Sequence, residues 1–423
     1  MYPEWLIFLV MLISFVFTAM ALRWPIGVSL VIASIAGSLV AGEGIPLRHL
    51  IEGTFTYIDP LLIIATAMIF METLKFSGLL GSLSRAIIVN MYNKPFWLIF
   101  FITIFIMFPG MITGLSTAAV LTTGALVSPA LINLGIPRLK VAAMIAMSAI
   151  YGMAAPPINV PAMIIGGGVD MPFIGFELPL IFATFPLAIG VNLSLGLKHL
   201  KNIKIEKILS DLGEDTFRLF SWKLYSPLLL VVFLLLGVRI FPEFFPNLGV
   251  PLIFVIGSIA GIFSGKRFNF WKTSTEAIHD ALPVIGILIG IGMFIQIMTL
   301  TGVRGFLVIG SLSLPSVWRY VSIAVMIPLF GAISAYGAAS VLGVPFLLAF
   351  LGQNEIIVGS GLSLICGLGD LMPPTALAGI FAAQVINEKN YFKVLKYTLI
   401  PAVITALWGI GMIIFANALS TFL

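Results

Sequence analysis

Groups that can offer oxygen ligands gather at four short segments of this chain, two in each half. They predict two cation sites, one in each half; the candidates are Thr113, Gly114, Ser116, Gly152 and Pro156 in the first half, and Ser334, Ala335, Gly337, Gly367, Gly369, Asp370 and Pro373 in the second. Hydroxyls and unwound carbonyls with little fixed negative charge suit a weakly held monovalent cation such as Na⁺. The candidate substrate contacts beside them are Thr117, Asn159, Ser340 and Thr375. Helix N-termini at such segments would turn positive dipole ends towards an anionic substrate.

Two proline pairs, Pro156-Pro157 and Pro373-Pro374, provide the breaks on which this chemistry depends. Proline lacks a backbone donor and clashes with the preceding turn, so each pair should interrupt a long apolar helix. In a bilayer, such an interruption is tolerated only where protein or a water-filled cavity receives the freed backbone groups. Matching interruptions in two halves are typical of the binding site of a secondary transporter. Alternatively, each small residue merely permits close helix packing, but repetition of the whole arrangement favours a site.

Acidic residues at membrane depth are costly and are therefore functional candidates. Asp370 lies three residues before the second proline pair, where it is a candidate to line the ion or substrate site. Glu72 has Gln296 at the matching position of the second half, which favours a structural hydrogen bond. His279 and Asp280 are expected at the end of a surface helix, facing the lipid headgroups.

Composition identifies an integral membrane protein of helices. The 423 residues are 60% hydrophobic and 9% charged, with a mean hydropathy of +1.15. A soluble domain is about a quarter charged, so this chain needs a lipid bilayer. The net charge of +5 reflects basic residues near helix ends and predicts no nucleic-acid partner. The single cysteine excludes an intramolecular disulfide and a cysteine-based metal cluster, and the chain has no Walker A sequence or nucleophile elbow. We expect no enzyme activity, no cofactor and no transition metal.

Three matches in one order show that the two halves are repeats. Phe70–Gly81 matches Phe294–Gly305 at an offset of 294 − 70 = 224, and Gly110–Leu121 matches Gly331–Leu342 at 331 − 110 = 221. The proline pairs are offset by 373 − 156 = 217. Each small-residue turn also lies between two apolar segments too short to span alone, which predicts a helical hairpin that enters and leaves on one side.

These patterns predict an all-α polytopic membrane protein with two repeats, each holding a re-entrant hairpin and a broken transmembrane helix. The first repeat, 1–197, comprises scaffold helices 4–42 and 172–197, interfacial helix 45–58, hairpin 95–135 and broken helix 139–168. A polar cytoplasmic connector, 198–223, follows. The second repeat, 224–423, comprises scaffold helices 225–264 and 395–421, interfacial helix 267–280, hairpin 316–352 and broken helix 356–386.

Charge placement predicts the orientation. With the N-terminus in the periplasm, all but four of the 22 basic residues fall on the cytoplasmic side, as the positive-inside rule asks. The exceptions are Arg48, Arg239, Arg304 and Arg319. One hairpin then opens inward and the other outward, so the repeats have inverted topology. We expect a multi-pass protein of the bacterial inner membrane.

The motif set resembles the large membrane subunit of tripartite ATP-independent periplasmic (TRAP) transporters, a DctM-like group within the ion transporter superfamily. The resemblance covers nearly the whole chain. It rests on Phe70-Met-Glu-Thr-Leu with Gly78, the tip Thr113-Gly-Leu-Ser-Thr-Ala-Ala, Gly152-Met-Ala-Ala-Pro-Pro157 and Gly369-Asp-Leu-Met-Pro-Pro374. Departures from the usual family pattern occur at Leu115, at Tyr336 and at Asp370.

The resemblance implies an elevator-type, Na⁺-coupled importer of small organic acids. Its expected partners are a small four-helix membrane subunit and a periplasmic substrate-binding protein. Two alternatives remain open at this point: an ion-coupled carboxylate transporter of a related family that needs no binding protein, or an ion channel.

Overall fold

The computed structural model describes residues 2–200, 216–241, 243–244, 246 and 248–423. The described residues are helical and contain no strand. Seven of their helices are long and apolar enough to cross a membrane, or eight if one bent pair is a single span. The prediction of an all-α polytopic membrane fold is therefore confirmed. The middle of the predicted connector, residues 201–215, lies outside the described residues.

The first half contributes ten helices to the described residues. They are α1 (Glu4–Val16), α2 (Ile26–Ala41), α3 (Leu47–Phe55), α4 (Ile58–Phe76), α5 (Leu79–Met91), α6 (Pro95–Thr113), α7 (Ser116–Asn133, which includes a π-helical turn), α8 (Arg138–Ala154), α9 (Val160–Gly167) and α10 (Glu177–Gly196). A π-helical turn, Phe17–Ala21, extends α1, and a 3₁₀ turn, Leu197–His199, extends α10.

The second half contributes eleven more to the described residues. They are α11 (Thr216–Phe220), α12 (Ser226–Ile240), α13 (Val250–Ile262), α14 (Phe270–Leu300), α15 (Val303–Ser313), α16 (Ser316–Gly331), α17 (Ala335–Leu348, also with a π-helical turn), α18 (Glu355–Gly367), α19 (Leu377–Val385), α20 (Tyr391–Ile414) and α21 (Ala416–Leu419).

Both predicted hairpins are present as antiparallel helix pairs. In the first, α6 turns into α7 at Gly114, whose φ of +70° is easily adopted by glycine. The hydroxyl of Thr123 donates to the carbonyl of Ile106 on the facing helix, 3.2 Å away. In the second, α16 turns into α17 at Ser334, whose hydroxyl caps α17 by accepting from the backbone N–H of Gly337 at 3.1 Å. Arg319, near the start of α16, donates to the carbonyl of Ala349 just past α17 and joins the open ends.

Both proline pairs break a helix. The first break separates α8 from α9, and Asn159 caps α9 by accepting from the backbone N–H of Ala162 at 2.9 Å. The second separates α18 from α19 and contains a 3₁₀ turn, Leu368–Leu371. The peptide bond inside each proline pair is cis.

The helices pack as two groups. In one, which we call the frame group, α14 packs against α2, α3 and α4, and α1, α12 and α13 complete it. In the other, the hairpin group, α8 packs against α6, α10, α19 and α20, while α18 packs against α9, α16 and α20. The predicted scaffold segments 172–197 and 395–421 contain α10 and α20, which instead pack within the hairpin group. Both helices contact several other helices of this group. A continuous apolar sequence does not indicate such contacts, because it is equally compatible with lipid around the helix.

The structure also differs at the predicted interfacial helix 267–280. Residues 270–280 form the start of α14, a continuous helix of 31 residues that extends for about 46 Å at 1.5 Å per residue. Asn269 caps its first turn, and Pro283 removes one internal hydrogen bond without ending the helix. By contrast, α3, within the predicted interfacial segment 45–58, is separate and meets α4 at a 45° bend.

Candidate ion and substrate site

A cavity of about 500 Å³ lies between the frame group and the hairpin group. Its frame wall is formed by α2, α4 and α14. Its opposite wall is formed by the two hairpin tips, the second break and α19. Among the predicted site residues, those that line it are Ser116, Thr117, Ser334, Ala335, Asp370 and Thr375. The cavity therefore brings together residues from both repeats that are more than 200 positions apart in the chain.

The centre of the hairpin wall is a contact between Ser116 and Asp370. The Ser116 hydroxyl, at the first turn of α7, donates to Oδ2 of Asp370 in the 3₁₀ turn of the second break. Both side chains are buried, with exposed fractions of 2% and 6%. Within the described part of the chain, Asp370 forms no ion pair. A buried carboxylate with one hydroxyl donor and no cationic side chain retains capacity to accept a proton or bind a cation.

The two hairpin tips contact each other beside this carboxylate. The phenol of Tyr336, in the first turn of α17, donates to the carbonyl of Gly114 at 3.0 Å. It also lies 3.9 Å from the sulfur of Met153, at the end of α8. Tyr336 is buried, so this hydrogen bond fixes the tip of one repeat against the tip of the other. Tyr336, a departure from the family pattern, is not among the predicted site residues.

Glycines set the distance between each hairpin and its broken helix. A Cβ built on Gly110 of α6 would lie 2.8 Å from the backbone nitrogen of Met153. In the second repeat, a Cβ on Gly369 would lie 2.5 Å from the Cα of Gly331 in α16. Real Cβ atoms do not approach backbone this closely, so only glycine permits these crossings. A Cβ on Gly152 would likewise lie 2.4 Å from the carbonyl oxygen of Met107, so the packing explanation for the small residues holds at Gly152 and Gly369.

Two predicted site residues of the first repeat are instead engaged in hydrogen bonds with other parts of the protein. The hydroxyl of Thr113 donates to the carbonyl of Pro109 at 2.7 Å and accepts from the backbone N–H of Leu115. The amide nitrogen of Asn159 donates to the carbonyl of Ala154 at 2.7 Å and to the hydroxyl of Ser363 at 3.0 Å. Neither side chain lines the cavity. Asn159 links the first break to α18 of the other repeat.

Ser340 lies away from the cavity. It lines a separate small pocket with Gly168, at the end of α9, and Arg304, at the start of α15. The guanidinium of Arg304 donates to the carbonyl of Gly168 and so joins α15 to the hairpin group. Arg304 is one of the four basic residues predicted to face the periplasm.

Charged residues of the frame wall were not predicted to face a site. Glu72 and Lys75 of α4 and His279 and Asp280 of α14 line the cavity. The side chains of His279 and Asp280 are 81% and 64% exposed, so they mark its mouth. Helical spacing could have placed Glu72 and Lys75 on one face of α4, since residues three apart are neighbours. The cavity mouth is not predictable from the amphipathic pattern of 267–280, which indicates a surface helix, whereas residues 270–280 begin the continuous helix α14.

Two solved transporter structures resemble this fold over most of its length. The YdaH transporter of Alcanivorax borkumensis is 18% identical, with a TM-score of 0.59 over 89% of each chain. MtrF of Neisseria gonorrhoeae, described among antimetabolite efflux pumps, is 15% identical, with a TM-score of 0.64 over 99% of this chain and 96% of its own. No protein-family model and no curated protein sequence matches the chain. The chain therefore has the fold of a polytopic membrane transporter.

Proposed function

We propose that this chain is a cation-coupled secondary transporter whose coupling ion binds at Asp370. The observation that carries the proposal is the buried Asp370 carboxylate, which lines a cavity between two helix groups and contacts the tip of the opposite repeat. Intramembrane carboxylates without a charged partner are costly and mark ion or proton pathways. A bound cation would offset that cost.

We propose Na⁺ as the coupling ion. The Ser116 hydroxyl oxygen and the Asp370 carboxylate supply oxygen ligands at the meeting point of the second break and the first hairpin tip. Unwound backbone at broken helices supplies further carbonyl oxygens, which suit Na⁺. Ser334 lines the same cavity and remains a proposed ion ligand, while Thr117 and Thr375, which also line it, remain proposed substrate contacts.

We propose a small organic acid as the solute. Among the described residues, three carboxylates, those of Glu72, Asp280 and Asp370, line the cavity together with one lysine, Lys75. An anionic solute would be repelled by this wall unless cations enter with it, which supports the proposed cation coupling. The motif resemblance to TRAP large subunits supports the same solute class and import. If the chain is a TRAP large subunit, its partners are a small four-helix membrane subunit and a periplasmic binding protein. The second candidate function is that of a related carboxylate carrier that works without these partners.

Alternating access would come from movement of the hairpin group against the frame group. The cavity lies at their boundary, and its mouth carries His279 and Asp280, on the side assigned to the cytoplasm by charge placement. On the other side, Arg304 joins α15 to Gly168 of the hairpin group. We infer an inward-facing form of a protein in the bacterial inner membrane with a periplasmic N-terminus. Because α10 and α20 pack with the hairpins, they belong to the moving body on this proposal.

Uptake into proteoliposomes tests the proposal. Asp370→Asn keeps the shape of the side chain and removes its charge, so Na⁺-dependent uptake of labelled carboxylates should fall at least tenfold. The matched control is Asp170→Asn. Asp170 is exposed and has a φ of +57°, a conformation that asparagine adopts as readily as aspartate. Uptake that is unchanged in Asp370→Asn, or equal with and without a Na⁺ gradient in the parent protein, would refute the proposed coupling.

Adding candidate binding proteins separates the two family readings. A TRAP large subunit should take up solute only with its small subunit and a loaded binding protein, whereas a related carrier should work alone. A conductance that persists at saturating solute would indicate the channel alternative.

A further inference from the structure

An ion pair on the frame wall holds the one lysine of the cavity. The ammonium of Lys75 lies 2.8 Å from Oε1 and 3.0 Å from Oε2 of Glu72, one helical turn earlier on α4. The Lys75 side chain is 46% exposed, and the Glu72 side chain is 10% exposed. Both line the cavity opposite the hairpin tips. The pair thus keeps a cation at the edge of the solute space with its partner buried behind it.

We propose that Lys75 receives a carboxylate group of the transported solute, and that Glu72 holds the ammonium in place until the solute arrives. This proposal rests on the proposed function, because it assumes an organic acid as solute. An ammonium has three donors, and Glu72 accepts two of them. A third donor remains for a ligand in the cavity. No other lysine or arginine of the described residues lines this cavity.

The competition between Glu72 and the solute gives the proposal its signature. A solute carboxylate must share or displace the Glu72 carboxylate, since both bind the same ammonium. Removing the Glu72 charge should therefore strengthen solute binding, while removing the Lys75 charge should weaken it. If the pair served only to hold α4 in shape, the two removals would act in the same direction, because each breaks the same salt bridge.

The place of Lys75 fits a role in one state of the transport cycle. It belongs to the frame group, whereas the Ser116 and Asp370 contact belongs to the hairpin group. A solute carried by the hairpin group would meet Lys75 only when the cavity lies against this part of α4. Lys75 would then favour binding of the solute to the form described here, or release of the solute from it.

The experiment uses the full-length chain, with its partner subunits where uptake requires them, in proteoliposomes at a saturating Na⁺ concentration. Exchange of labelled lactate, succinate and gluconate is measured, since exchange samples both sides of the membrane. Lys75→Gln should raise the KM about tenfold for the solute that the parent protein exchanges, and Lys75→Arg should stay within about threefold. Glu72→Gln should lower the KM, by about threefold or more. Inhibition by the corresponding amide, which lacks the charge, should not change in Lys75→Gln.

The control is Lys272→Gln, which removes a lysine paired with Glu276 at 3.9 Å on an exposed part of α14 outside the cavity. Its KM should equal that of the parent protein. An unchanged KM in Lys75→Gln, or a raised KM in Glu72→Gln, would overturn the Lys75 proposal and leave cation coupling intact. If Lys75→Gln fails to fold, Glu72→Gln still decides, because it retains the lysine. A parent protein that exchanges none of the three acids would overturn the carboxylate assignment and this proposal together.

Discussion

Removal of the Ser116 hydroxyl should weaken Na⁺ binding about tenfold. The hydroxyl donates to Asp370, and both side chains are buried, so Ser116→Ala removes one oxygen ligand and one hydrogen bond from the carboxylate. A hydrogen bond to a charged group contributes about 1.5–3 kcal/mol. We take the lower end because cavity water can enter where the hydroxyl is lost. About 1.5 kcal/mol corresponds to roughly a tenfold change in the Na⁺ concentration for half-maximal uptake.

The adjacent hydroxyl provides the control for this prediction. Thr117 also lines the cavity but, among the described residues, forms no hydrogen bond with Asp370, so Thr117→Ala should shift the half-maximal Na⁺ concentration less than twofold. In an Asp370→Asn background, Ser116→Ala should cause little further change in the half-maximal Na⁺ concentration, because both substitutions remove the same interaction. Uptake against Na⁺ concentration in proteoliposomes is measured for the parent protein and all four variants: Ser116→Ala, Thr117→Ala, Asp370→Asn and the double variant. Equal shifts in Ser116→Ala and Thr117→Ala would show that the contact with Asp370 has no part in coupling.

Three further predictions follow from the architecture. Single cysteines are introduced at the open ends of the hairpins, at Lys94 and Arg138 of the first and at Arg319 of the second. A membrane-impermeant maleimide should label the first two from the cytoplasm and the third from the periplasm, and labelling of all three from one side would refute inverted topology. Gly369→Ala should lower the melting temperature in detergent, because overpacking costs about 1–3 kcal/mol, whereas Gly310→Ala, with no heavy atom within 4 Å of the added carbon, should not. A bifunctional maleimide joining cysteines at Met71 and Leu121, on opposite cavity walls, should stop uptake and spare Na⁺ binding; full uptake through a verified crosslink would exclude movement between the two groups.

The fold could be predicted where local chemistry decides it. Proline pairs end helices for reasons that hold in any environment, and both breaks occur where the pairs lie. The hairpin turns at Gly114 and Ser334 follow from a residue that tolerates positive φ and a hydroxyl that caps a helix. The grouping of α10 and α20 could not be predicted in the same way. Apolarity in a membrane protein reports contact with lipid or protein alike, so it does not reveal which neighbour a helix takes.

The site was only partly predictable because its contacts join distant parts of the chain. Ser116 and Asp370 were each proposed as ligands from their own segments, but their pairing depends on the two repeats crossing. Tyr336 is unusual in the sequence because it is an aromatic residue in a tip of small residues. Its role becomes clear only from the structure, where its hydroxyl donates to the carbonyl of Gly114. Thr113 shows the opposite case, since its hydroxyl satisfies the backbone of its own helix. Residue type indicates which groups can bind, and only packing decides which are free to do so.

The two repeats are unequal where they meet, and this inequality favours one charged site over two. By the repeat offsets, the counterpart of Asp370 is Met153 (370 − 217 = 153), and the counterpart of Tyr336 is Leu115 (336 − 221 = 115). The second repeat thus supplies the carboxylate and the phenol, and the first supplies a thioether and an aliphatic chain. Tyr336 reaches both the Gly114 carbonyl and the Met153 sulfur of the other repeat. The junction therefore needs groups from both repeats. A single buried carboxylate there would favour binding of a cation to the hairpin group before that group moves.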